Sequence, residues 1–247
     1  MKILYFTTTG NSLAVARAIG GELLSVVGLL VSGVGGLRDD DGVGVVCPVY
    51  FGELPLPVSE LLSRIVIDAP YRFLVLTCGS TPAMAVRASG GWDYVRSILM
   101  VDNYFPMFDV GEQIAGVGRK RVDEHLAEIC ADISMRRRFV ESPTVFGRLA
   151  GWWMRCFPLR SDAYRRFYVE DSCSGCGICA RLCPVGNIVL LNGRPMIGEG
   201  CLTCGACYHN CPSAAVRYKG EKGRVQYRHP GVSLVDIMSQ SGSVEKE

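Results

Sequence analysis

The chain has 247 residues, about half of them apolar, with 26 basic against 24 acidic side chains and a net charge of +2. This length holds one large domain or two unequal ones around a sizeable core, and the near-neutral balance points to no polyanionic partner. The N-terminus lacks the apolar run and cleavage site of a secretory leader. Residues 23–37 are too short and glycine-rich for a membrane span, which needs about 20 apolar residues, so no transmembrane segment is expected.

Residues 2–6, KILYF, read as a short buried strand. It runs into Thr7, Thr8, Thr9, Gly10, Asn11 and Ser12, and then into a helix-period stretch over residues 13–24. A strand, a hydroxyl-rich turn and a helix N-terminus form an anion-binding arrangement, because unpaired N–H groups and the positive end of the helix dipole meet there. A phosphate monoester fits it best; a helix merely capped by Thr or Ser is the plainer alternative. No GK[ST] follows, so this is not a Walker loop, and no G-x-G-x-x-G stands at a strand-to-helix turn. Further strands are expected at 43–51 and 71–79, with a weaker one at 103–110. Strands alternating with helices predict a parallel sheet covered on both faces. The loops carrying Pro48, Val49, Tyr50, Phe51 and Gly52, and Thr77, Cys78, Gly79 and Ser80, then fall at strand carboxyl ends beside the first turn. Tyr50 and Phe51 could stack on a flat ring or simply pack.

Residues 119–166 are basic, with Arg119, Lys120 and Arg121, then Arg136, Arg137 and Arg138, then Arg165 and Arg166. They suggest an amphipathic last helix of the first domain and a connecting helix with a solvated basic face. The charge would either steer an acidic redox partner or hold two domains together. No nucleic-acid-binding fold accompanies it, so no such partner is expected. Trp152, Trp153, Met154, Phe157 and Leu159 form an apolar cluster suited to packing the domains together, with a peripheral membrane contact as the alternative. Cys47, Cys130 and Cys156 read as buried small hydrophobes, while Cys78 is the one thiol to watch for reactivity. His125, His209 and His229 are isolated and expected at the surface. No hydrolase signature is present and no catalytic residue is assigned.

The remaining eight cysteines form two copies of one pattern. Cys173, Cys176, Cys179 and Cys183-Pro184 make the first; Cys201, Cys204, Cys207 and Cys211-Pro212 make the second. This is the C-x₂-C-x₂-C-x₃-C-P run of two-cluster ferredoxins, in which the fourth cysteine ligates the other cluster. Two [4Fe–4S] clusters are therefore expected, one on Cys173, Cys176, Cys179 and Cys211, the other on Cys201, Cys204, Cys207 and Cys183. Disulfides would suit a small secreted scaffold, and zinc would want separated pairs. Free thiols and cluster ligands both suit a reducing compartment, so a cytoplasmic location is expected. Strands at 187–191 and 215–218 follow the two runs, and Asn192-Gly193 signals a hairpin. The tail after Gly231 is expected to be loosely held, with residues 239–247 disordered.

The TTTGNS turn and the two later loops resemble flavodoxin over roughly residues 1–140. The resemblance implies FMN, with its phosphate on Thr7, Thr8, Thr9, Asn11 and Ser12 and its ring between the other two loops. With PVYFGELP, DNYFP and the C-x-x-C-G-x-C…C-P-x-x-N-I run, the whole chain resembles the prokaryotic flavodoxin–ferredoxin fusion proteins. The implied fold class is α/β: a flavodoxin-like doubly wound parallel sheet, then a small α+β two-cluster ferredoxin domain. The boundaries are 1–142 for the first domain, 143–168 for a connector, 169–231 for the ferredoxin-type domain and 232–247 for the tail. Residues 31–41 depart from the family in being short and glycine-rich, so its second helix is expected to be reduced or absent. The implied function is electron transfer between FMN and the clusters, to or from an unidentified redox partner protein. Two alternatives stay open: a flavin-dependent reductase of a small substrate such as a quinone, and a subunit or maturation partner of a larger redox complex.

Overall fold

The strands that carry the first domain are nearly continuous apolar runs, as in sheets covered on both faces. In a computed structural model describing residues 1–88, 91–145, 147–149, 152 and 163–240, β1 (Lys2–Tyr5), β4 (Val43–Pro48) and β6 (Arg72–Cys78) are buried along almost their whole length. With β2 (Glu22–Ser25), β7 (Tyr94–Leu99) and β8 (Phe139–Val140) they build a six-stranded sheet in the order β2-β1-β4-β6-β7-β8. Every pairing in it is parallel. Strands β3 (Gly36–Arg38) and β5 (Val66–Asp68) form a separate parallel pair. The chain leaves β1 for β2 on one side and returns to β4 on the other. That reversal is a topological switch point, and the order is consistent with a flavodoxin-like domain. One apolar core lies on each face, gathered around Leu13, Phe73 and Ile129 and around Phe6, Leu61 and Leu76.

Helix α1 (Asn11–Ile19) ends five residues before its apolar period does. Gly20 and Gly21 both take positive φ, and a Cβ on Gly21 would stand 2.7 Å from the Met1 carbonyl oxygen. Only glycine allows that approach, so the chain turns and residues 22–25 become an edge strand. The second helix is present but short, α2 (Val26–Ser32); residues 31–41 contribute its end and β3. No strand forms at 103–110. Pro106 has no N–H to offer a ladder, and the fifth strand is β7, whose Tyr94, Val95 and Ile98 are buried. Helices α3 (Leu56–Arg64), α4 (Val110–Ala115) and α5 (Val122–Ser134) complete this part.

The second part is smaller. Strand β9 (Phe167–Val169) pairs antiparallel with β12 (Val216–Tyr218), and β10 (Ile188–Leu191) with β11 (Arg194–Ile197). Asn192 and Gly193 both have positive φ, the requirement of a type I′ hairpin turn. Helices α6 (Ile178–Leu182) and α7 (Ala206–His209) each start at a left-handed glycine, Gly177 and Gly205, both at φ 72°. The repeat in the sequence is thus a repeat in backbone geometry.

The two parts meet through Phe105, which is 1% exposed. Its ring stacks on Tyr208 at 4.0 Å and meets Phe167, Tyr218 and His209 edge-on. Of the cluster expected to do this packing, Trp152 is exposed, and Trp153, Met154, Phe157 and Leu159 lie outside the described residues. Histidine 209 is buried rather than at the surface: Tyr227 N–H donates to its Nδ1, and its Nε2 meets the Asn103 carbonyl at 2.8 Å.

The arginine run differs from expectation too. Arg136 has φ 51° just past α5, and the run is not helical. Arg136 pairs with Asp41, Arg137 with Asp132 and Arg138 with Asp93. All three acids belong to the first domain, so these arginines neither bridge the two parts nor lie on a helix face. The tail is not loose over its first residues. Residues 234–240 form helix α8 (Leu234–Gln240), and Arg17 pairs with Asp236 at 2.5 Å. Gln240 is 1% exposed; its Oε1 accepts from Thr7 N–H and its Nε2 donates to the Thr7 carbonyl, both at 2.6 Å. Residues 241–247 lie outside the described residues. Among the described residues no helix is long and apolar enough to cross a membrane.

Candidate functional site

Three cavities bear on function. The largest of these three holds about 170 Å³ and lies at the carboxyl ends of β1, β4, β6 and β7. Its lining includes Thr7, Thr8, Thr9, Asn11 and Ser12 from the first turn, Pro48, Val49, Tyr50, Phe51 and Gly52 after β4, and Thr77, Cys78, Gly79 and Ser80 after β6. Of the predicted residues only Gly10 is absent from that wall. Its φ is 96°, and a Cβ there would stand 2.9 Å from Val232 Cβ, so it packs against the tail instead.

The turn's side chains are less free than the sequence suggests. Thr7 Oγ1 accepts from Gly10 N–H, Thr9 Oγ1 accepts from Asn103 Nδ2 at 2.6 Å, and Asn11 Oδ1 accepts from Tyr227 Oη–H at 2.7 Å. Ser12 Oγ bonds Thr77 Oγ1, and Thr8 Oγ1 bonds both Tyr50 Oη and the Cys204 carbonyl. A hydroxyl that accepts keeps its own proton to give, so Thr7 and Thr9 each retain one donor. No side chain caps α1, and the first N–H groups of a helix have no partner within it. A small anionic group has donors here without a full positive charge, which suits a phosphate monoester.

The other two cavities lie within the second part and are much smaller, about 20 and 10 Å³. Cys183, Cys201, Cys204 and Cys207 line one; Cys173, Cys176, Cys179 and Cys211 line the other. Each set takes three cysteines from one run and the proline-linked fourth from the other. All eight are free thiols. Among the described residues no three Cys, His, Asp or Glu side chains converge as ligands of a single ion do. A cubane takes one thiolate at each corner, the number that each cavity's cysteines supply. Burial pushes the Cys179 thiol up to about 11 and the Cys204 thiol up to about 12, so thiolates there need positive iron beside them. Asn187 N–H donates to Cys183 Sγ at 3.2 Å and Thr203 N–H to Cys201 Sγ at 3.4 Å. Such bonds to sulfur tune a cluster's potential.

Cys204 lines both the large cavity and its neighbour. The contact is reinforced by Thr8 Oγ1 on the Cys204 carbonyl and by Asn210 Nδ2 on the Thr8 carbonyl at 3.0 Å. The sequence does not single out Val101, Asp102, Asn103, Tyr104, Phe105, Met107 and Phe108, which also line the large cavity, because residues 103–110 carry a strand-like pattern. Cys78 lines the cavity within residues 77–80. It is buried, and burial pushes it up to about 12.

Residues 172–216 match the 4Fe-4S dicluster domain family. No curated protein and no solved structure matches the chain. The match covers the eight cysteines, so this part of the chain is a 4Fe–4S domain of the kind that carries iron–sulfur electron transfer.

Proposed function

We propose that this chain passes electrons between an FMN held in the large cavity and two [4Fe–4S] clusters, and from there to or from a redox partner protein. The observation that carries the reading is Cys204, whose residue forms a wall of both the flavin cavity and the nearer cluster site. Bound FMN would take two electrons together or singly, and each cluster one. The chain's part is to hold, orient and exclude water. Thr7, Thr9 and the α1 N-terminus hold the phosphate; Tyr50 and Phe51 on one side and residues 77–80 on the other flank the ring. Cys183, Cys201, Cys204 and Cys207 ligate the nearer cluster, and Cys173, Cys176, Cys179 and Cys211 the farther. Cys176 is exposed, which makes the farther cluster the exit toward the partner. Thr203, Cys204 and residues 101–105 complete the cavity wall; a ring covered by them would favour a carrier over a reductase of small substrates.

Anaerobic reconstitution tests the reading. The expected product holds one FMN, released on denaturation, and about eight iron per chain. Cys183→Ala is expected to lose the nearer cluster and stop flavin-to-cluster transfer. Cys176→Ala is expected to keep internal transfer and lose delivery to an external acceptor. FAD in place of FMN, or iron near four per chain in the wild type, would refute it, and fast turnover of a quinone would favour the reductase.

A further inference from the structure

We propose that Asp102 is the proton donor of the large cavity: its carboxyl gives a proton to the flavin ring as electrons arrive and recovers one from water. The inference rests on the flavin reading above. Asp102 follows β7 and is the only carboxylic acid in the lining, which among the described residues contains no His, Lys or Arg. Its Oδ1 accepts from Tyr104 N–H at 3.2 Å. Its Oδ2 lies over Gly79, so closely that a Cβ on that residue would stand 2.0 Å away. The absence of a side chain at 79 is what lets the carboxyl reach the ring-flanking loop.

The charges around it are arranged for both protonation states. Lys120 Nζ donates to the Gly79 carbonyl at 2.7 Å and the Met100 carbonyl at 2.6 Å, fixing a positive charge behind the same loop. Glu141 stands beyond Cys78, with its carboxylate taken up by Ser97 N–H and Oγ. Burial raises the Asp102 carboxyl above the ordinary carboxylate range, while Tyr104 N–H and Lys120 oppose it. The acid therefore keeps its proton to higher pH than a free carboxyl, and Lys120 stabilises the carboxylate left after transfer. A proton retained to higher pH and a stabilised conjugate base both suit a general acid. The competing groups are silent near neutral pH: burial holds the Cys78 thiol at about 12 and pushes the Tyr50 hydroxyl well up.

The transfer balances simply. With FMN bound, the Asp102 O–H bond would break as an N–H bond formed on the ring. The electrons come from the reduced clusters, one each. The carboxylate would take its proton back from solvent, which reaches this wall at half-exposed Met107; in the reverse direction the same groups would carry the proton out.

Asp102→Asn tests this, since it conserves volume and the acceptor for Tyr104 N–H. FMN is first titrated into wild type and variant; affinities within about twofold show an intact cavity. Ring reduction by pre-reduced clusters is then followed by stopped flow across pH, with the protonated-carboxyl C=O band read by infrared in the FMN-free chain. The expected wild-type rate falls as pH rises through the Asp102 titration. The variant is expected to be roughly 100-fold slower and flat with pH, the loss typical of a general acid, and to lack one C=O band. A variant that keeps the wild-type rate and profile overturns the proposal, as does a wild-type band that vanishes near pH 4, where free carboxyls ionise, roughly. Failure of the wild type to bind FMN defeats the flavin reading first, and is seen before any rate is measured.

Discussion

Replacing Gln240 by alanine asks whether the C-terminal helix holds the first turn in place. The amide makes two 2.6 Å hydrogen bonds to Thr7, one to its N–H and one to its carbonyl. Both residues are 1% exposed, so water is not at hand to replace either bond. A buried backbone group left without a partner costs about 1–3 kcal/mol. Two such groups, eased by some relaxation of α8, place the local loss at about 2–4 kcal/mol. At about 1.4 kcal/mol per decade that is a roughly 30- to 700-fold more frequent opening of the turn. Hydrogen exchange of the Thr7 amide reads this directly, because local opening can be far cheaper than global unfolding. Gln240→Glu keeps the acceptor for Thr7 N–H and loses the donor to its carbonyl, so it should fall between the two. Arg17→Ala removes the half-exposed pair with Asp236 and a long hydrogen bond to the Gly231 carbonyl; the pair is worth about 1 kcal/mol or less. If Thr7 exchanges within about threefold of wild type in Gln240→Ala, the tail does not restrain the turn and the reasoning fails.

Phe105→Ala empties the centre of the aromatic cluster that joins the two parts; a buried Phe→Ala change costs about 3–5 kcal/mol. Limited proteolysis should then cut between the parts much faster, with the cysteine ligands intact. Cys78 should resist iodoacetamide in the folded chain. With the thiol held at about 12, only about one part in ten thousand is thiolate at pH 8, and labelling should climb about tenfold per pH unit until unfolding releases it. Gly44→Ala should destabilise sharply, because the new methyl would stand 2.0 Å from Phe73 Cζ. Overpacking of this kind typically costs about 1–3 kcal/mol or more, and a thermal melt of the reconstituted protein would register it.

The amino-acid sequence alone determined what is local. Three cysteines spaced by two residues, then a fourth before proline, fix a loop, a turn of helix and an exit within eleven residues, so the pattern is readable without a fold. The hairpin at Asn192-Gly193 is equally local, since two positive φ angles in succession specify its turn. The apolar runs at 43–48 and 72–78 declared themselves as buried parallel strands because both faces of the sheet are covered. Elements were missed where tertiary contacts outweighed local pattern. The period of α1 continues through Leu23 and Leu24, yet Gly20 and Gly21 both take positive φ, Gly21 sits against the Met1 carbonyl, and those leucines become an edge strand. Residues 103–110 look like a strand until Phe105 is drawn into the ring cluster around Tyr208. Only the tertiary structure decided that Cys204 borders the large cavity, that Gln240 grips Thr7 across 233 positions of sequence, and that Asp102 stands over Gly79. Each of these depends on residues far apart in the chain. No periodicity encodes them, and they arise only once burial has packed the two parts together.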